Sequence, residues 1–201
     1  GDLVVSRTEC AGQSSATHGY TSGGDAPPRT NVIEKFSFAS SGNGTDHGDL
    51  TVARSAVAGQ SSTTHGYTTG GYESGSKDII DRFSFSSSGN ATDVGNLVTA
   101  RHAAAGQSSA TDGYISGGGF SPSFDNINKF AFASSGNGTD HGTLSVSRQD
   151  AAGQSSTTHG YISGGNADSN VIDRFTFGAS NNATDVGDLS VGRRFLTGQQ
   201  Y

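Results

Sequence analysis

The segment Ala58-Gly59-Gln60-Ser61-Ser62-Thr63-Thr64-His65-Gly66-Tyr67-Thr68-Thr69-Gly70-Gly71 recurs along the chain. Close copies run from Ala11 to Gly24, from Ala105 to Gly118 and from Ala152 to Gly165. Their tyrosines, Tyr20, Tyr67, Tyr114 and Tyr161, are each 47 residues from the last. A fixed period of this length marks a repeat architecture. One array with one pattern reads as a single domain over residues 1–201, with repeats near 8–54, 55–101, 102–148 and 149–193. Residues 1–7 and 194–201 are partial repeats, and Thr197 to Tyr201 reads as a break in the pattern.

Within each repeat four short strands are expected. In the second repeat these are Ser55 to Gln60, His65 to Gly70, Asp78 to Ser86 and Val94 to Arg101. The third is rich in β-branched and aromatic residues, which suit a pleated, half-buried surface. Phe83 and Phe85 fall on one face of it and Arg82 and Ser84 on the other, because side chains alternate along a strand. No segment longer than about ten residues carries a 3.6-residue apolar period, so the expectation is all-β without helices. A four-stranded sheet of 47 residues cannot cover both its faces. Stacking such sheets around an axis buries them and leaves only short edges, which predicts a β-propeller of four-stranded blades. The near-absence of bulk in Ala103-Ala104-Ala105-Gly106 suits the innermost strand of a blade.

Composition excludes several function classes. The net charge is −6 with no cluster of lysine or arginine, which argues against a nucleic-acid partner. No apolar run reaches the roughly 18 residues that would span a bilayer, so no membrane insertion is expected. The lone Cys10 cannot form an internal disulfide; its equivalents Val57, Ala104 and Ala151 suggest a small buried side chain. The chain holds no methionine and opens inside a repeat, which reads as a processed product or a fragment.

The glycine pair, the aromatic third strand after a variable loop and the arginine closing each fourth strand (Arg54, Arg101, Arg148, Arg193) resemble the kelch repeat. The resemblance covers the whole chain and implies a kelch-type β-propeller of about four blades. It departs from the family in having no tryptophan near the start of the fourth strand, where His47, Val94, His141 and Val186 stand instead. Kelch propellers usually have six or seven blades. That leaves two alternatives, part of a larger propeller or a four-bladed ring with overhanging ends, and the reading leans towards a longer parent or a ring completed by another chain. The near-identical repeats also resemble kelch-type arrays in virion proteins of marine phages, which implies a phage tail or fibre component.

Four loops between second and third strands break the repeat: Asp25 to Thr30, Tyr72 to Lys77, Gly119 to Asp125 and Asn166 to Asn170. Binding residues concentrate on loops held by a rigid scaffold. Arg29, Tyr72, Glu73, Lys77, Phe120 and Phe124 are therefore the candidate ligand contacts. Asn43, Asn90, Asn137 and Asn182 open Asn-x-Thr triplets, glycosylation acceptors only in a eukaryotic secreted protein and otherwise turn formers suited to positive φ. Asp46, Asp93, Asp140 and Asp185 read as turn caps. The histidines, replaced by Asp112 or valines at equivalent positions, read as packing or hydrogen-bonding residues. The Arg and carboxylate positions, with Glu34, Asp81 and Asp173 on third strands and Asn128 in the third repeat, predict bridges that hold the register.

No polar cluster in the sequence breaks the repeat in the way catalysis requires, so the expected function is non-enzymatic, without metal or cofactor. It is a virion or extracellular structural and adhesion module that binds a receptor, a host glycan or a neighbouring subunit, with a homo-oligomer as one assembly the pattern allows. The alternative is a glycan-binding lectin or glycan-processing enzyme, with carbohydrate binding on the same loops.

Overall fold

The computed structural model describes residues 1–119 and 121–198. Among the described residues sixteen strands form four antiparallel sheets, each with its strands side by side in chain order. The first holds β1 (Ala11–Ser14), β2 (His18–Ser22), β3 (Val32–Ser37) and β4 (Thr45–Asp49). The second holds β5 (Ala58–Ser61), β6 (His65–Thr69), β7 (Lys77–Ser84) and β8 (Thr92–Arg101). The third holds β9 (Ala105–Ser108), β10 (Asp112–Ser116), β11 (Asn126–Ala131) and β12 (Thr139–Thr143). The fourth holds β13 (Ala152–Ser155), β14 (His159–Ser163), β15 (Val171–Thr176) and β16 (Thr184–Asp188). The only helical turn among the described residues is a 3-10 turn, Asn166–Asp168.

Local chemistry sets each sheet. In the second strand Gly66 pairs with Phe83, whose ring lies across it; a Cβ on Gly66 would stand 2.2 Å from the ring. The same crossing recurs at Gly19, Gly113 and Gly160. The strand then stops at Gly70 and Gly71, whose φ of 62° and 104° turn the chain towards the loop at a conformation other residues resist. The third strand bulges between Ile33 and Glu34, between Ile127 and Asn128 and between Ile172 and Asp173. Such a bulge re-aims the side chain beside it, and each time that side chain is the one that meets the arginine.

Successive sheets pack through a repeated interface. Tyr20 stacks on Phe85 at 4.7 Å, Tyr67 on Phe132 at 4.7 Å and Tyr114 on Phe177 at 4.8 Å. Their hydroxyls donate to the carbonyls of those same phenylalanines. Such aromatic pairs are worth about 0.5–1.5 kcal/mol beyond the area they bury. The first strands β1, β5, β9 and β13 lie one beside the next. Gln13 Nε2 donates to the Tyr67 carbonyl, Gln60 Nε2 to that of Tyr114 and Gln107 Nε2 to that of Tyr161. The backbones approach so closely that a Cβ on Gly59, Gly106 or Gly153 would lie 2.2–2.3 Å from the carbonyl oxygen of the glycine in the preceding first strand. That is why the expected small-residue strand is built around a glycine.

The arginines hold one sheet to the next. Arg54 is fully buried, donates to Asp81 at 2.8 Å and reaches the carbonyls of Gly70 and Thr68. Arg7 with Glu34 and Arg148 with Asp173 repeat the pair. The third junction lacks the carboxylate. Arg101 donates to Asn126 and Asn128, the Asn128 amide nitrogen finds no acceptor, and burial pushes Arg101 down to about 10. The fourth strands are also shorter than expected, ending at Asp49, Thr143 and Asp188. Asp81 accepts from the Thr51 backbone and Asp173 from the Ser145 backbone just past the ends of β4 and β12, while β16 ends at the same place with no such bond among the described residues. At the Asn128 junction, where β7 also starts early enough for Lys77 to pair with Arg101, β8 runs on to Arg101.

Thr197 to Tyr201 reads as a break in the sequence, but the described part of it continues the pattern. Phe195 repeats the positive φ of Glu9, Ala56, Ala103 and Asp150, all between 50° and 56°. Its N–H bonds the Asp150 carbonyl at 2.9 Å, as Asp150 bonds Ala103 and Ala103 bonds Ala56. Gly198 then lies against Gly153, as Gly153 lies against Gly106, although residues 196–198 form no strand.

Candidate functional site

Each variable loop is tied at its base to the residue just before a first strand. Asp25 exchanges backbone hydrogen bonds with Thr8 and Tyr72 with Ser55; Gly119 donates to His102 and Asn166 to Gln149. Two variable stretches per repeat therefore meet. One is the loop; the other is the pair Thr8-Glu9, Ser55-Ala56, His102-Ala103 and Gln149-Asp150. The second residue of every pair has positive φ, a left-handed conformation that is uncommon outside glycine.

The four pairs line a cavity of about 910 Å³, together with Arg29 and Tyr72 from the first two loops and the 195–197 segment. The Arg29 guanidinium lies 5.1 Å from the centre of the Tyr72 ring and donates to Ser55 Oγ and to the Glu73 carbonyl. Tyr72 meets the His102 ring edge-on at 5.2 Å, and Ser76 Oγ lies 2.9 Å from His102 Nδ1. Burial holds the His102 imidazole below its usual range, and the charges of Asp150 and Glu9 pull the other way. The wall is thus a cation, a phenol, an imidazole and two carboxylates around an apolar floor of Ala56, Val57, Ala103 and Ala104. It can hydrogen-bond and stack on a polar ligand.

Of the residues expected to contact a ligand, Arg29 and Tyr72 line this cavity. Glu73 and Lys77 pair with each other at 3.0 Å beside it, and the Lys77 bond lowers the Glu73 carboxyl to about 2. Phe124 lies under Arg101 at 5.5 Å and is not part of the wall. Phe120 lies outside the described residues. Sequence reasoning missed Glu9, His102, Gln149 and Asp150. Their signal was present: after the invariant arginine the chain reads Thr-Glu, Ser-Ala, His-Ala and Gln-Asp, a second place where the repeat breaks.

The remaining motifs are absorbed by the frame. Asn43, Asn90, Asn137 and Asn182 are not at positive φ. Each side-chain oxygen accepts a backbone N–H from the neighbouring strand segment, those of Asp2, Asp49, Asn96 and Thr143. Asp46, Asp93 and Asp185 accept from the glycine two residues on. His47 and His141 wedge between Tyr and Phe rings and bond the carbonyls of Ser84 and Thr176. His18, His65 and His159 bond the preceding threonine, and Asp112 takes the same bond from Thr111. Cys10 is half-buried and unpaired, and burial pushes its thiol up. Among the described residues no three His, Cys, Asp or Glu side chains converge as metal ligands would.

Neither models of known protein families nor curated proteins give a match to this sequence.

Proposed function

We propose that this chain is a non-enzymatic structural and adhesion module, a kelch-type β-propeller or an arc of one. In this reading it is part of a virion or an extracellular surface and binds a receptor, a glycan or a neighbouring subunit on its loop face. One observation carries the reading. Six polar or aromatic residues that differ between repeats, Glu9, Arg29, Tyr72, His102, Gln149 and Asp150, border one cavity, while the surrounding frame repeats. Side-by-side first strands, small residues at their contacts and Tyr–Phe packing between sheets support the propeller geometry.

Glu9 and Asp150, which both border this cavity, favour a second reading, a lectin or glycan-processing enzyme, since glycoside cleavage uses two carboxylates. A glycan array followed by titration of the retained glycan tests both. Stable binding lost on Tyr72→Ala supports adhesion. Product release lost on Glu9→Gln or Asp150→Asn, without stable binding, supports the enzyme. Absence of both refutes the assignment of this cavity to glycans.

A further inference from the structure

The charges around the cavity at the loop bases are unevenly answered. Arg29 is the only arginine or lysine on its border. Its guanidinium is already committed to Ser55 Oγ, to the Glu73 carbonyl and to the face of Tyr72. Glu9 and Asp150 have no such partner. Among the described residues neither forms an ion pair. The Asp150 carboxylate accepts only from the neutral Gln149 amide, at 3.1 Å, and the exposed Glu9 carboxylate accepts from no protein donor. Both charges act on the same His102 imidazole, whose Nδ1 is taken by Ser76 Oγ.

The backbone adds a further acceptor at the same place. The positive-φ residue of each repeat donates to the one before it: Phe195 to Asp150, Asp150 to Ala103 and Ala103 to Ala56, each at 2.9 Å. The series stops there. Among the described residues no bond joins the Ala56 N–H to the Glu9 carbonyl, although the strands that follow keep their usual contact, Gln13 to the Tyr67 carbonyl. The frame thus opens at one turn-to-turn step, and that step carries the Glu9 carboxylate. Beside it lie the apolar floor of the cavity and the rings of Tyr72 and Phe195.

We propose that this cavity selects its ligand by a protonated amine held by Glu9 and Asp150, and that the ligand is an amino sugar whose nitrogen is not acylated. The sugar rests on the glycan reading of the loop face, and the amine on the charges alone. An ammonium brings three donors and one positive charge. It answers two carboxylates and the Glu9 carbonyl together, and its hydrogen bonds to carboxylates are of the strong, charge-assisted kind. An N-acetyl group would bring a neutral amide to the same place and leave both carboxylates unanswered. A carboxylated or sulfated sugar would meet two like charges. The aromatic and apolar part of the border suits the apolar face of a sugar ring.

The probes are a chitosan-type glucosamine tetramer and its fully N-acetylated counterpart, which differ only at nitrogen, with hexylamine and hexanol as a pair that carries no sugar. Calorimetric titration of the whole chain at about pH 6 keeps the carboxylates ionised. The free-amine tetramer should bind about tenfold more tightly than the acetylated one, and hexylamine should bind where hexanol does not. Glu9→Gln and Asp150→Asn should each remove most of that preference. Asp188→Asn, which takes one negative charge from outside the cavity, should leave it. Asparagine tolerates the positive φ at position 150, and a circular-dichroism melt of each variant checks that the fold is kept. Equal binding of the two tetramers, or a preference for the acetylated one, overturns the amine and leaves the glycan reading standing. Hexylamine binding that depends on Glu9 and Asp150, with neither tetramer retained, upholds the amine and removes the sugar. A preference lowered as much by Asp188→Asn as by Glu9→Gln is general attraction to a chain of net charge −6 and overturns the proposal. So does the absence of binding by every probe, which takes the glycan reading with it.

Discussion

Replacing Asp81 by alanine strips the carboxylate from a fully buried guanidinium. Asp81 accepts from Arg54 at 2.8 Å and from the backbone and hydroxyl of Thr51. Breaking a buried pair from one side costs about 3–5 kcal/mol, because the remaining charge is left uncompensated. At about 2–4 °C per kcal/mol for a chain of this size, the thermal midpoint should fall by about 6–20 °C. Asp81→Asn keeps the shape and one acceptor and reproduces the third junction, so its loss should be about half as large. Asn128→Asp runs the change in reverse. It turns the 3.2 Å bond from Arg101 into a charge-assisted one and removes an amide nitrogen that has no acceptor. Those two gains, about 1 kcal/mol and about 1–3 kcal/mol, oppose the cost of burying a carboxylate, several kcal/mol before its attraction to Arg101 is counted. The expected net is a gain of about 1 kcal/mol. Guanidinium unfolding followed by far-UV circular dichroism and tyrosine fluorescence measures all three; the chain has 6 tyrosines and no tryptophan. Coincident transitions by the two probes are required before midpoints are converted to free energies. An Asp81→Ala variant within about 1 kcal/mol of the parent would refute the buried-pair reasoning, as would an Asn128→Asp variant that loses as much as Asp81→Ala.

Gly59→Ala should destabilise by about 1–3 kcal/mol or more, since its Cβ would lie 2.3 Å from the Gly12 carbonyl oxygen; Gly12→Ala, whose Cβ meets nothing within 4 Å, should change stability by less than about 1 kcal/mol in the same titration. Tyr114 is raised above the ordinary phenol range, first by burial and then by the Asp112 charge. Its hydroxyl stays neutral in the fold while the unfolded chain ionises near pH 10. Stability is therefore full below that pH and falls as pH rises through it; Tyr114→Phe should lower stability by about 1 kcal/mol at neutral pH and flatten the alkaline loss in unfolding curves taken between pH 8 and 12. Glu73→Ala should leave the thermal midpoint unchanged, because its partner Lys77 is half-exposed and surface pairs contribute little.

Much of this fold is written in the repeat itself. The glycine pair, the Tyr and Phe spacing and the small-residue strand give four short strands per unit, and the sheets have them in that order. Bridges between the periodic arginines and the third-strand carboxylates could be read from their positions, with Asn128 as the exception, but not that Arg54 meets Asp81 of the following repeat. The candidate site was half legible. Tyr72 and Arg29 lie in an obvious variable loop, whereas Glu9, His102 and Asp150 sit at a second variable pair whose significance depends on the backbone bonds that bring it to the loop base.

Periodicity by itself determined the unit, its strands and its inward aromatic face, because those follow from local alternation and turn chemistry. Only tertiary structure decided what the third-strand carboxylates and the turn asparagines hold. Each of those depends on a partner about one repeat away, a carboxylate taking the Thr51 backbone or a strand meeting Asn90, and no local pattern specifies that contact.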